Sequence, residues 1–435
     1  MPPTASDETA LETDGDAPPV AAVPPRDQAL ATPRGRAWEV GLHVLAFGAG
    51  FAIMAIEIAG ARVMAPVFGL SAVPWTAVIG VILTALAVGN HLGGRLADAR
   101  IVPLAWILAG AGVTAVIPVL GGPVPGLAQR ALGYIPGAVA SAVVLFALPI
   151  LALGMVVPYL IRAGATTVET VGRRAGDVSA AATAGSIVGT FVTGFVLLPT
   201  LPLQPLLGAL AALLLALAVL AGRLVPPGPP PGALILAALG LAVVGAAAGP
   251  RGGGLLATRE TVYGSIQVVE RMREGALVRE MIQNGGSSSA EYVDTGFPAH
   301  PYARVSGQLF ESVIERVDSV LFLGGAALSL PVALVDWQPR LAVDVVELDP
   351  AATALAREYF AYGRTERPGI RVFHDDARIH LARTARRYDV IYLDAFDHLV
   401  TVPWTLVTRE AIEATAARLR PRGMFVANVL SPTDG

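Results

Sequence analysis

The sequence predicts an α-helical membrane bundle of about seven spans, followed by a small β unit and a Rossmann-like α/β domain. Three observations carry that prediction. Between residues 38 and 250 the chain breaks into apolar runs long enough to cross roughly 30 Å of hydrocarbon at about 1.5 Å per residue. Beyond residue 305, strand-like runs alternate with helical spacing, the order that builds a parallel sheet. Within that part, Ser319-Val-Leu-Phe-Leu323 stops at Gly324-Gly325, and a second such run ends about 20 positions on at Glu347.

Composition sets the bounds. At 435 residues, 54% hydrophobic and 15% charged, with a mean hydropathy of +0.61, the chain is too apolar for an ordinary soluble protein and long enough for two or more domains. A lipid bilayer is therefore an expected partner. The net charge of -3 provides no basic field for nucleic acid. With no cysteine, disulfides, cysteine metal sites and thiol nucleophiles are excluded, and no metal is expected. All 31 basic residues are arginine, which excludes a Schiff-base lysine and a P-loop lysine alike.

Residues 1–37 are rich in Pro, Ala, Asp and Glu without an apolar period, and read as a disordered tail. The acidic start and late apolar onset do not fit a signal peptide. A transmembrane domain follows over 38–250, with runs near 40–62, 73–94, 102–121, 135–160, 179–200, 203–222 and 232–249. Small residues along the fifth (Ala181, Ala184, Gly185, Gly189, Gly194) predict a close helix contact. Glu57 and Arg62 close the first run; Asn90, His91, Arg95 and Asp98 close the second. Such groups are either interfacial anchors or functional. Gly93-Gly94-Arg95-Leu96-Ala97-Asp98 also resembles the loop after the second helix of major-facilitator transporters.

The loops and the chemistry disagree about sidedness. Arg26, Arg34, Arg36, Arg95, Arg100, Arg162, Arg173, Arg174 and Arg223 fall on one side, against Arg62 and Arg130 on the other. The positive-inside rule then puts the N-terminus in the cytoplasm, and seven crossings leave the C-terminal domain outside. A domain using a nucleotide-like ligand is expected in the cytoplasm. Either one run does not cross, or the domain faces outward.

Past Pro250-Arg-Gly-Gly-Gly254 the sequence turns charged and alternating, which marks a boundary. Residues 251–304 read as a small antiparallel β unit built on Thr261–Glu270 and Val278–Gln283. The Rossmann-like domain runs over 305–435: a helix from Val305 to Val317, the opening strand, the strand Val343–Glu347, a helix Ala351–Tyr362, the strand Ile370–Phe373, a helix, the strand from Tyr388, a helix Thr408–Leu419 and a strand Met424–Leu430. In such a sheet, ligands bind at the strand carboxyl ends, and Glu347, Asp376 and Asp394 all fall on that edge.

Three acids on one edge, with no lysine, no cysteine and no histidine in the same register, suit a hydroxyl-rich, cationic ligand such as a sulfonium nucleoside. Glu347 can accept from ribose hydroxyls. Asp394 and Asp397, three apart, could take a proton from an amine and hold a second ammonium. An alkylammonium, with a pKa of about 10.4, has no lone pair to attack with until it is deprotonated. Any single Asp here could equally be a turn or N-cap acid.

The segment from about Arg259 to Gly435 resembles the spermidine synthase (polyamine aminopropyltransferase) family, whose Rossmann-like domain is of the methyltransferase type, in the form with a multi-spanning domain ahead of it. The resemblance rests on Val345-Val-Glu347-Leu-Asp349-Pro350 with Tyr359-Phe360, on Asp376-Ala377, on Tyr388-Asp-Val-Ile391 through Asp394-Ala-Phe-Asp397, and on Pro403-Trp-Thr-Leu406-Val-Thr408-Arg-Glu410. It implies that Gly324, Gly325, Glu347, Asp376 and Ala377 bind the donor, Glu347 at the ribose and Asp376 at the adenine amino group. It implies Asp394 as the base, and Asp397 and Tyr302 as the residues that place a small-molecule amine. The donor would be decarboxylated S-adenosylmethionine, the products a longer polyamine and methylthioadenosine, and a homo-oligomer is compatible with the family.

The chain departs from that pattern where the family has Gly-Gly-Gly-Asp-Gly and this sequence has Gly324-Gly325-Ala326-Ala327-Leu328. Gly264 and Ala303 stand where the family carries glutamines, and the domain stops after five strands, so it is expected to be incomplete at its C-terminal edge. Three readings follow: an aminopropyltransferase acting on a diamine such as putrescine, a transferase using intact S-adenosylmethionine, and a non-catalytic membrane sensor or transporter with a nucleoside- or polyamine-binding domain.

Overall fold

The structure is a computed structural model that describes residues 35–69, 72–99, 101–165, 168–225, 254–396 and 402–429, with single positions 232 and 240. Helix α1 (Arg36–Phe68) opens a bundle that continues through α2 (Ala72–Ala99), α3 (Leu104–Thr114), α4 (Ile117–Leu120), α5 (Val124–Leu132), α6 (Tyr134–Gly154), α7 (Val156–Gly164), α8 (Val168–Val192), a π-helical turn (Thr193–Leu197), α9 (Leu198–Thr200) and α10 (Leu203–Leu224). Five stretches are long and apolar enough to cross a membrane: Arg36–Phe68, Ala72–Ala99, Tyr134–Gly164, Thr170–Thr200 and Leu203–Leu224. Six of the seven expected runs fall among the described residues, where five such spans stand, or six with the pair Leu104–Leu120 and Val124–Leu132. That pair is bent by 71° at Gly121-Gly122-Pro123, where a helix is readily broken. The seventh run, 232–249, lies outside the described residues apart from Gly240 and Gly232.

The bundle is built on close backbone approaches. A Cβ on Gly185 would stand 1.9 Å from the Phe47 carbonyl oxygen, and one on Gly189 would stand 2.6 Å from that of Phe51. α1 and α8 therefore run parallel in near contact. The small-residue face differs in two places from the one expected: Ala182, not the exposed Ala184, meets Gly50, and Gly194 faces open space in the π-helical turn. Gly93 to Asp98 is helical, not a loop, and Asp98 meets Arg162 at 3.4 Å.

These contacts also sort the helix ends. Trp38 Nε1 donates to the Leu224 carbonyl (2.9 Å), and Arg174 pairs with Glu39. The starts of α1 and α8 and the end of α10 thus share one face, which carries Arg36, Arg173, Arg174 and Arg223. At the other face Tyr134 donates to the Phe68 carbonyl. Gly89 and Gly93 of α2 meet Leu151 and Met155, so α6 runs parallel to α2. The bent pair between them carries the chain from one face to the other.

An antiparallel sheet of β1 (Leu255–Glu260), β2 (Ser265–Arg273), β3 (Ala276–Gln283) and β4 (Gly286–Tyr292) follows. It packs Ile266, Val268 and Met281 onto the core of the α/β domain beside Phe310 and Phe322. That domain comprises α11 (Pro301–Val313), β5 (Ser319–Leu323), α12 (Ser329–Trp337), β6 (Ala342–Glu347), α13 (Pro350–Tyr359), α14 (Ala361–Arg364), β7 (Ile370–His374), α15 (Ala377–Arg383), β8 (Tyr388–Leu393), α16 (Arg409–Arg418) and β9 (Leu419–Ala427). Its five strands are parallel in the order β7-β6-β5-β8-β9. β5 is buried at every position and lies at the centre, because a strand covered on both faces must be apolar throughout. The chain order reverses direction between β5 and β8, which opens a crevice at their carboxyl ends.

Candidate active site

The crevice is organised by the turn that follows β5. Gly324 has φ +100°, and a Cβ there would stand 2.2 Å from the Asp394 carbonyl oxygen. Only glycine fits on both counts. On the other flank, the Gly325 and Ala326 amides donate to Glu347 Oε2 at 3.0 and 2.8 Å. The turn after β5 thus touches both acids, Asp394 at the tip of β8 and Glu347 at the tip of β6.

The departures from glycine leave a mark in the backbone. Ala326 (φ 44°) and Leu328 (φ 59°) both sit in the left-handed region. These are the positions where the resembled family has glycine, so the turn keeps its path while paying roughly 1–2 kcal/mol at each such residue. Ala327, where the family has an acid, is fully buried in the apolar core.

Glu347 is nearly fully buried, and burial raises its pKa, opposed by backbone hydrogen bonds from Asp349, Ala326 and Gly325. Its Oε1 accepts from the Asp349 amide at 3.0 Å. An oxygen with a second lone pair can still meet a ribose hydroxyl there. Asp349 in turn caps α13 through Ala351 (3.0 Å) and accepts the Thr261 hydroxyl at 2.6 Å.

Asp376 is the N-cap of α15, with Oδ1 accepting from the Arg378 and Ile379 amides at 2.8 and 3.1 Å. Ala377 begins that helix and packs on the second apolar cluster of the sheet. The capping alternative for an acid in this register is therefore realised at Asp376. The expectation of no histidine in register is corrected: His374 pairs with Glu347 across β6 and β7, and its ring meets the Thr353 hydroxyl at 3.1 Å.

Asp394 has two fixed neighbours. The Tyr302 hydroxyl donates to Oδ2 at 3.1 Å, and Asn428 Nδ2 donates to Oδ1 at 2.9 Å. Burial pushes the Asp394 carboxyl above its ordinary range, against the pull of those two donors. Tyr302, from α11, is pushed well above the usual tyrosine range by burial and by the Asp394 charge. The structure thus brings Tyr302 and Asp394 together across 92 residues. Asp397 lies outside the described residues. Asn428 escaped sequence reasoning, although the same edge logic that found Asp394 applies to the first residue beyond β9. Asp344, buried in mid-strand with Arg371 (2.7 Å) and the Tyr388 hydroxyl (2.8 Å), is satisfied within the sheet and away from the strand tips.

Comparison with known proteins places this segment. The spermine/spermidine synthase domain model matches residues 302–433. A polyamine aminopropyltransferase of Vibrio vulnificus (strain CMCP6) is 36% identical over 136 residues, covering 30% of this chain and 44% of the relative. A probable polyamine aminopropyl transferase of Bifidobacterium longum (strain NCC 2705) is 31% identical over 124 residues, covering 28% of this chain and 27% of the relative. A crystal structure of a probable spermidine synthase from Corynebacterium glutamicum ATCC 13032 is 23% identical, with a TM-score of 0.35, over 40% of this chain and 63% of that one. The chain spans less than half the length of the curated relatives it matches. Its C-terminal region, residues 302–433, is a spermine/spermidine synthase domain.

Proposed function

We propose that this domain transfers an aminopropyl group from decarboxylated S-adenosylmethionine to a diamine such as putrescine. The observation that carries the reading is the Asp394 carboxylate, aimed by Tyr302 and Asn428 and set against the Gly324 turn inside a spermine/spermidine synthase domain. Glu347 and the Gly324-Gly325 backbone would receive the ribose. Asp376 would meet the adenine amino group through the carboxylate oxygen that does not cap α15, beside Ala377. Asp394 would take the proton of the incoming ammonium; the freed lone pair forms the new C–N bond as the C–S bond breaks and methylthioadenosine leaves. A base raised by burial is better matched to an amine than an ordinary carboxylate. Tyr302 and Asp397 would place the amine.

Ala327 favours a second reading, transfer from intact S-adenosylmethionine, because no acid stands there to repel a carboxylate on the donor's tail. Calorimetry on the solubilised full chain separates the two. The expected result is binding of the decarboxylated donor at least tenfold tighter than the intact one; the reverse order selects the second reading, and binding of neither removes both.

We further propose that the domain lies on the face opposite the arginine-rich helix ends, because it is the Arg62 end of α1 that contacts the β unit packed on it. By the positive-inside rule that face is outside the cytoplasm. The chain has no cysteine, so single cysteines report cleanly. In intact cells an impermeant maleimide is expected to label Glu274→Cys and not Arg173→Cys; the opposite pattern puts the domain in the cytoplasm.

A further inference from the structure

One contact between the bundle and the β unit leads on to the donor cradle, and it begins on a residue of α1. Arg62, near the end of α1, is largely buried. Its Nη2 donates to the carbonyls of Thr261 (3.0 Å) and Val262 (3.2 Å), and its Nη1 stands 3.8 Å from Glu260 Oε2. All three partners lie at the end of β1 and in the turn before β2. One turn further along α1, the Pro66 backbone meets the next hairpin, where a Cβ on Gly285 would stand 2.4 Å from the Pro66 Cα. The end of α1 is therefore seated between two turns of the β unit.

The gripped turn does not end at the β unit. The Thr261 hydroxyl, whose backbone carbonyl Arg62 holds, donates to Asp349 Oδ2 at 2.6 Å. The Asp349 amide donates to Glu347 Oε1 at 3.0 Å. Glu347 Oε2 holds the Gly325 and Ala326 amides. Each link is a hydrogen bond, running from a largely buried guanidinium through a turn residue and an N-cap carboxylate to a buried glutamate. A guanidinium suits the first position because one of its nitrogens donates to two carbonyls at once while the other stands near an acid at ion-pair distance.

We infer that Arg62 is a positioning residue for donor binding, so that the membrane helix α1 completes the cradle formed by Glu347 and the Gly324-Gly325 turn. The inference rests on the proposed donor site, but the linkage itself is testable without ligand. In the full-length protein, Arg62→Gln is expected to speed amide hydrogen exchange in peptides covering Leu323–Leu328 and Val346–Ala351, while peptides of β8 and β9 exchange as before. Unchanged exchange at the turn overturns the inference whatever the protein binds.

With the decarboxylated donor as probe, Arg62→Gln should raise the donor KM about tenfold, the size expected for losing a charged hydrogen-bond pair, with the amine KM unaltered. Arg62→Lys should recover part of the loss. Thr261→Val, which cuts the link one step further on and leaves α1 intact, should show the same signature. Combined with Arg62→Gln it should add little, as for two members of one chain of contacts. Additive effects, or equal losses in both KM values, would assign Arg62 to general docking. A wild-type protein that binds neither donor would remove the functional reading and leave the exchange result standing.

Discussion

Asp394→Asn is expected to abolish methylthioadenosine release, with a loss of about 10²–10⁴-fold, the range attributed to a positioned general base. The amide keeps the size of the carboxylate and can still accept from Asn428 on one atom, so donor affinity by calorimetry should stay within a factor of about two. The pH profile gives a sharper check. A base must be ionised, so turnover falls as pH drops through the Asp394 pKa, which burial has raised above the ordinary carboxylate range. Asn428 and Tyr302 both donate to the charged form and hold that rise in check. Removing either, as Asn428→Ala or Tyr302→Phe, should move the acid limb of the profile to higher pH. The linkage sign also predicts stability. A carboxyl with a raised folded-state pKa contributes stability that is complete below its unfolded pKa and is lost as pH rises through the folded one. Asp394→Asn should therefore unfold no earlier than wild type at neutral pH. Unchanged turnover in this variant would remove Asp394 as the base.

Glu347→Gln should act on the other half of the site. Glu347 accepts three backbone amides, from Gly325, Ala326 and Asp349, with both oxygens. Glutamine has only one acceptor atom, so its NH₂ must face at least one N–H donor in a buried place. The cost of such an unmet pair is about 1–3 kcal/mol. Denaturant unfolding of the solubilised chain should register a loss of that size in the α/β domain, and donor affinity should fall tenfold or more as the turn after β5 loosens. Affinity equal to wild type would take Glu347 out of the donor site and leave it as a structural brace.

These two residues show how far the sequence reached. Glu347 could be found because two local patterns, an apolar strand ending in glycine and a second strand ending in an acid, fix its place at a sheet edge without any knowledge of packing. Asp394 was found in the same way. What the same edge logic did not deliver was the occupancy of each acid. Asp376 turned out to cap a helix, since its own Oδ1 lies nearest the amides two and three residues on. Asn428 could have been marked as the polar residue just past the last strand, but nothing local ties it to a residue 34 positions earlier.

The sequence by itself determined the order of the two parts, the strand and helix alternation of the second, and the edge on which its acids lie. Those features depend on composition and on periods of 2 and 3.6 residues, which are written locally. The 71° bend between Leu104–Leu120 and Val124–Leu132, the parallel seating of α1 on α8, the left-handed backbone at Ala326 and Leu328, and the grip of Arg62 on the Thr261 turn were decided only in three dimensions. Each depends on which surfaces meet across long separations in the chain. Arg62 and Thr261 are 199 residues apart, and no local pattern records that distance.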